Sequence, residues 1–65
     1  MDIVIIVNCA TSDIQNYIGS CQEWSGICDW ATRDCAMKYE LDYAIRLIKM
    51  LERKNKTLRL NYEWV

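Results

Sequence analysis

The segment Thr57-Leu58-Arg59-Leu60-Asn61-Tyr62-Glu63-Trp64-Val65 carries the clearest structural signal in the chain. Leu58, Leu60, Tyr62 and Trp64 alternate with Thr57, Arg59, Asn61 and Glu63. A period of two divides side chains between the faces of a β-strand. A strand is therefore expected over 57–65, with Leu60, Tyr62 and Trp64 in the core. The run Ile3-Val4-Ile5-Ile6-Val7 predicts a second strand over 2–8. It is apolar on both faces, and such a strand needs cover on both.

The middle of the chain reads as helical. Ser12 followed by Gln15 has the spacing of a capping box, and Ile14, Tyr17, Ile18 and Cys21 follow at helical intervals. A first helix is expected over 12–24, carrying Gly19 at a cost of about 1 kcal/mol. Ser25-Gly26 marks a break. Met37, Leu41, Ala44, Ile48 and Leu51 then form an apolar stripe opposite Asp34, Lys38, Asp42, Arg46, Lys49 and Arg53. This predicts a long second helix over 27–54, closed by Asn55 in a left-handed conformation. Such a helix would span about 40 Å, long enough that it must bend, project, or start later than Ile27. The expected class is α+β in β-α-α-β order. Two antiparallel terminal strands would pack on a helical hairpin, all within one compact domain, 1–65.

Composition narrows the function classes. Sixty-five residues with 52% apolar content describe a folded chain, but a small one whose core is marginal without a staple or a partner. A two-stranded sheet would leave open edges, so self-association is expected. It would come by sheet extension across a two-fold axis or through the Tyr39/Tyr43 flank of the second helix. Net charge is −1 but uneven: five acidic side chains against Arg33 in residues 1–36, seven basic against four acidic in 37–65. The opening apolar run follows Asp2 without a basic region, and no stretch approaches a membrane span. A cytoplasmic location without membrane contact is the expectation, with thiols reduced.

Four cysteines stand at Cys9, Cys21, Cys28 and Cys35. Buried free thiols are the favoured reading. Disulfides and a metal site stay open, because Cys21 and Cys28 can face one another across the break. With no histidine and no closely spaced cysteine pair, no metal or cofactor is expected, and a nucleophile would lack its usual base. The chain is not expected to be an enzyme.

What remains is surface. Trp24, Trp30, Tyr39 and Tyr43 supply the residue types that anchor protein interfaces. Trp24 and Trp30 flank the break, and Tyr39 and Tyr43 widen the apolar arc of the second helix. Arg53, Lys54, Lys56 and Arg59 form a short basic cluster suited to phosphate contact, but no base-reading motif accompanies them. The leading expectation is a small regulator or inhibitor that binds another protein and pairs with itself, of the kind phages and mobile elements encode. An acidic face of Asp13, Glu23, Asp29 and Asp34 would let it mimic nucleic acid. The rival expectation is a dimeric nucleic-acid-binding regulator using the Arg53–Arg59 region.

Overall fold

The computed structural model describes residues 2–22, 25 and 27–65. Its elements run β1 (Ile3–Asn8), β2 (Tyr17–Gln22), β3 (Ile27–Ala31), a 3-10 turn (Arg33–Cys35), β4 (Tyr39–Glu40), α1 (Leu41–Lys54) and β5 (Leu60–Trp64). The α+β class and the antiparallel pairing of the terminal strands stand, with Val4 opposite Trp64 and Asn8 opposite Leu60. The helical hairpin does not: among the described residues there is one α-helix, and the sheet has five strands.

Within the expected first helix, Tyr17–Gln22 form the hairpin arm β2, and Ile27–Ala31 at the start of the expected second helix form its return arm β3; Glu23 and Trp24 lie outside the described residues. Cys21 pairs with Cys28 and Gln22 with Ile27, so the break near Ser25 turns a β-hairpin rather than a helical one. Ser25 tightens that turn, its N–H donating to the Gln22 carbonyl at 3.2 Å. The capping box at Ser12 does not form. Instead Thr11 Oγ1 accepts from the Asp13 N–H at 3.2 Å. Gly19 sits where the β2–β3 register shifts. A Cβ there would lie 3.0 Å from the Ala31 Cβ, so the close approach of the two arms explains the glycine. Gly26, placed at the break, lies outside the described residues.

The apolar stripe becomes helical only from Leu41, where the chain leaves β4 with the Leu41 N–H bonded to the Asp2 carbonyl. Ala44, Leu47 and Leu51 face the sheet and pack with Val4, Ile6 and Ile18 as the buried core. Trp30, Leu60 and Tyr62 seal its margin. The helix ends at Lys54 as expected, but Asn55 is extended (φ −134°, ψ 104°), not left-handed. Its side-chain oxygen instead accepts from the Thr57 N–H and hydroxyl, at 3.1 and 2.7 Å, and so turns the chain toward β5.

Strand β1 is central, as its two apolar faces require. Its helix side carries Val4 and Ile6; on the far side Ile5 and Val7 are 4% and 7% exposed. β5 takes one edge. The other is divided: Tyr17 of β2 pairs at Val7, and β4 pairs at Ile3 and Val4. The β2–β3 arm thus forks away from β1, and the Met37 N–H bonds the Ile18 carbonyl across the fork at 2.9 Å. The expected core residue Trp64 is 55% exposed. It lies on the outer strand β5, edge-on to Tyr62 and outside the buried core cluster.

The outer edge of β5 is guarded. The Leu60 N–H donates to Glu52 Oε2 of α1 at 2.9 Å, and the Tyr62 N–H to the side-chain oxygen of Asn61 at 2.8 Å. Side chains that occupy edge donors in this way discourage a foreign strand from pairing there.

Candidate functional site

Tyr43 leaves the first turn of α1 on the flank that overhangs β4, and there its ring stacks on Tyr39 at 5.5 Å between centroids. Tyr39 is half-buried by its place in the sheet, while Tyr43 is 41% exposed. Helical spacing brings Arg46, Leu47 and Met50 alongside, and with Tyr43 they line a shallow depression of about 200 Å³. Leu47 forms its buried floor and Met50 packs against the core from its side. The result is a small apolar shelf with an aromatic ring and a guanidinium at its rim.

The other residues singled out in the sequence are dispersed. Trp30 is half-buried against the core beside Cys28, and Trp24 lies outside the described residues. Arg53, Lys54, Lys56 and Arg59 are all exposed, the first two on the last turn of α1 and the others on the connection to β5. Of the acidic set, Asp13, Asp29 and Asp34 lie respectively on the 9–16 connection, on β3 and on the 3-10 turn; Glu23 is outside the described residues.

The cysteines correct the expectation of buried free thiols. Cys21 and Cys28 are joined as a disulfide across the hairpin, their Cα atoms 4.1 Å apart, and Cys9 and Cys35 are free but exposed. The spacing carried a signal for this: six residues centred on a turn signal put both cysteines opposite one another on antiparallel strands. Among the described residues no cluster of three potential ligands could hold a metal ion. No helix among them is long and apolar enough to cross a membrane.

A second feature was not foreseen. On the far face of the sheet the Tyr17 hydroxyl donates to Glu63 Oε1 at 2.9 Å, and the Arg33 Nε–H reaches the same oxygen at 3.2 Å. The cluster ties β2, β5 and the 3-10 turn together on the face of Ile5 and Val7. Burial of the Tyr17 phenol, and then its bond to the Glu63 carboxylate, raise its pKa above the ordinary value. Beside it lies a cleft of about 530 Å³ floored by Ile5 and Gly19 and walled by Cys35, Met37 and Val65, with Lys38 at its mouth. Its walls are mostly apolar, and no two carboxylates converge there.

No protein-family model matches this chain, and neither does a curated protein or a solved structure.

Proposed function

We propose that the protein is a small non-enzymatic regulator or inhibitor that works by binding another protein through the Tyr39–Tyr43–Met50 shelf. The observation that carries this reading is the exposed Tyr43 ring, held by stacking on Tyr39 beside Arg46 and Met50. A pre-stacked ring loses little conformational freedom on binding. Tyrosine and arginine around an apolar centre are also the residue types that dominate binding energy at interfaces. The same shelf pairs two copies of the chain in the absence of the partner. Helix-flank pairing is preferred to extension at β5, because Glu52 and Asn61 occupy donors on that edge.

The test is affinity capture from the source cell with the tagged chain at low and moderate salt, run beside Tyr43→Ala. A stoichiometric protein retained by the parent at moderate salt and lost by the variant is the expected result. Equal capture by both removes the shelf. Sedimentation at tens of micromolar checks the self-pairing, which Tyr43→Ala should abolish.

A second reading has one observation in its favour: Arg53, Lys54, Lys56 and Arg59, close together in the chain, are all exposed. Phosphate contact there would show as nucleic acid that washes off with salt, with a log–log slope reporting the phosphates met. For compartment we propose the cytoplasm. The Cys21–Cys28 pairing pulls against it, because disulfides persist in oxidising surroundings. Alkylation trapping of the two thiols in the source cell decides between them.

A further inference from the structure

We propose that the outer edge of β3 is a docking site for an extended segment of a partner protein, one that sets a basic residue against Asp29. The proposal rests on the reading of this chain as a protein binder, but uses a surface separate from the Tyr43 shelf.

The sheet has three outer edges, those of β5, β3 and the two-residue β4, and only the first two are long enough to take an added strand. On β5 the Val65 N–H bonds Ile3 and the Arg59 carbonyl accepts from Cys9, so odd-numbered residues face β1 and Leu60, Tyr62 and Trp64 face outward. Two of those three N–H groups are already taken, by Glu52 and Asn61. β3 has no such protection. The phase of its pairing follows from two independent observations. Cys21 and Cys28 stand with Cα atoms 4.1 Å apart, the close spacing of a non-hydrogen-bonded antiparallel pair. At the other end of the arm the Asn8 N–H bonds Asn16 across the Val7–Tyr17 bridge, which turns the Tyr17 backbone groups toward Ala31. Both place the N–H and C=O of Cys28 and Trp30 outward. Among the described residues no side chain bonds these groups, and no strand lies beyond them.

The side chains beside this edge specify its occupant. On the far face Ile27 is 64% exposed and Asp29 is exposed, its carboxylate 3.1 Å from the Ser20 hydroxyl on the neighbouring strand. On the helix face the half-buried Trp30 would gain cover from an added strand. A second copy fits poorly. Of the symmetric registers, the one that pairs both outward residues of each copy, Cys28 of one with Trp30 of the other, sets Asp29 directly against its own counterpart, and like charges so placed destabilise a pair. A foreign strand has no such constraint. Main-chain bonds to Cys28 and Trp30 would supply affinity, and a basic residue opposite Asp29, flanked by an apolar one at Ile27, would supply selectivity.

The probe is the capped hexapeptide Val-Thr-Lys-Thr-Val-Thr, titrated into the full-length isotope-labelled chain at low salt while amide hydrogen exchange is followed. Slowing of the Cys28 and Trp30 amides by about tenfold or more at saturation is expected, since an opened edge amide becomes a ladder donor. Methylating alternate peptide nitrogens should abolish it. Asp29→Lys should weaken binding by about fivefold or more, and Tyr43→Ala should leave it unchanged. No protection at Cys28 and Trp30, or an Asp29→Lys variant that binds as well as the parent, overturns the proposal. Protection confined to residues 43–50 and lost in Tyr43→Ala would overturn the edge assignment while leaving the binder reading intact. Failure of the binder reading itself shows separately, as a parent chain that captures no stoichiometric protein at moderate salt.

Discussion

Replacing Asn8 by alanine should cost this protein a large share of its stability. Asn8 is the one buried polar side chain among the described residues. Its Oδ1 accepts from the Ala10 N–H at 3.1 Å and from the Arg59 N–H at 3.2 Å. One bond turns the chain out of β1, and the other ties the approach to β5 against it. Alanine removes the one oxygen that accepts both bonds and leaves two part-buried amides unpaired, at about 1–1.5 kcal/mol each, or about 2–3 kcal/mol together. A chain of this length has about 3–10 kcal/mol in all. For a domain this small each kcal/mol moves the melting point by about 4–8 °C, so Asn8→Ala should melt about 10 °C or more below the parent. Asn8→Asp keeps an acceptor in place and should recover most of the loss at neutral pH. The assay is urea unfolding of parent and both variants with the disulfide intact. A loss under about 0.5 kcal/mol, or an Asn8→Asp variant no better than alanine, would refute the role given to this oxygen.

Other outcomes follow from particular contacts. Reducing Cys21–Cys28 should lower stability by about 2–3 kcal/mol on the chain-entropy estimate for so short a loop; unfolding with and without reductant measures it, and no change would mean the hairpin holds without its staple. Gly19→Ala should destabilise by about 1–3 kcal/mol, because the new methyl meets the Ala31 Cβ at 3.0 Å. The raised Tyr17 pKa means that the folded state holds its phenolic proton longer than the unfolded one. That stability is fully present below the unfolded value near 10 and lost as pH rises through the folded one. Unfolding from pH 8 to 11 should therefore show a steeper alkaline decline for the parent than for Tyr17→Phe, and equal slopes would dissolve the link.

The parts of the fold legible in the sequence are those where one period had no competitor. Residues 3–7 and 60–64 alternate or run apolar without a helical pattern, and they form the paired strands β1 and β5. The stripe from Leu41 to Leu51 likewise became a helix. The failure lies between residues 12 and 40, where the two helices expected over 12–24 and 27–54 give way to strands and turns until Leu41. Ile14, Tyr17, Ile18 and Cys21 satisfy helical spacing by accident, while Tyr17, Ile18, Ile27 and Trp30 are also good strand residues. Tertiary pairing decided the matter: each arm of the hairpin buries one face only when the other is present. Local chemistry around Gly19 favoured the strand, since a mid-helix glycine is costly and a bulge needs one. Of the candidate site, Tyr39 and Tyr43 were expected side by side on the flank of one helix; their rings do meet, but Tyr39 stands on β4 and only Tyr43 on α1. The Tyr17–Glu63–Arg33 cluster was not foreseen, because it joins residues from three elements with no spacing in common.

The central place of β1 has a consequence for how the chain is made. Val4 finds its partner in Trp64, so the strand on which the sheet is built emerges from the ribosome well before the strand that completes it. Contacts this distant along the chain slow folding, because loop closure must precede any gain from pairing. Until β5 arrives one edge of the run Ile3–Val7, an apolar segment without proline or charge, has no strand beside it, and such an edge seeks any available partner. A chaperone or a binding partner that meets the nascent chain would meet β1 before β5 is there to pair with it.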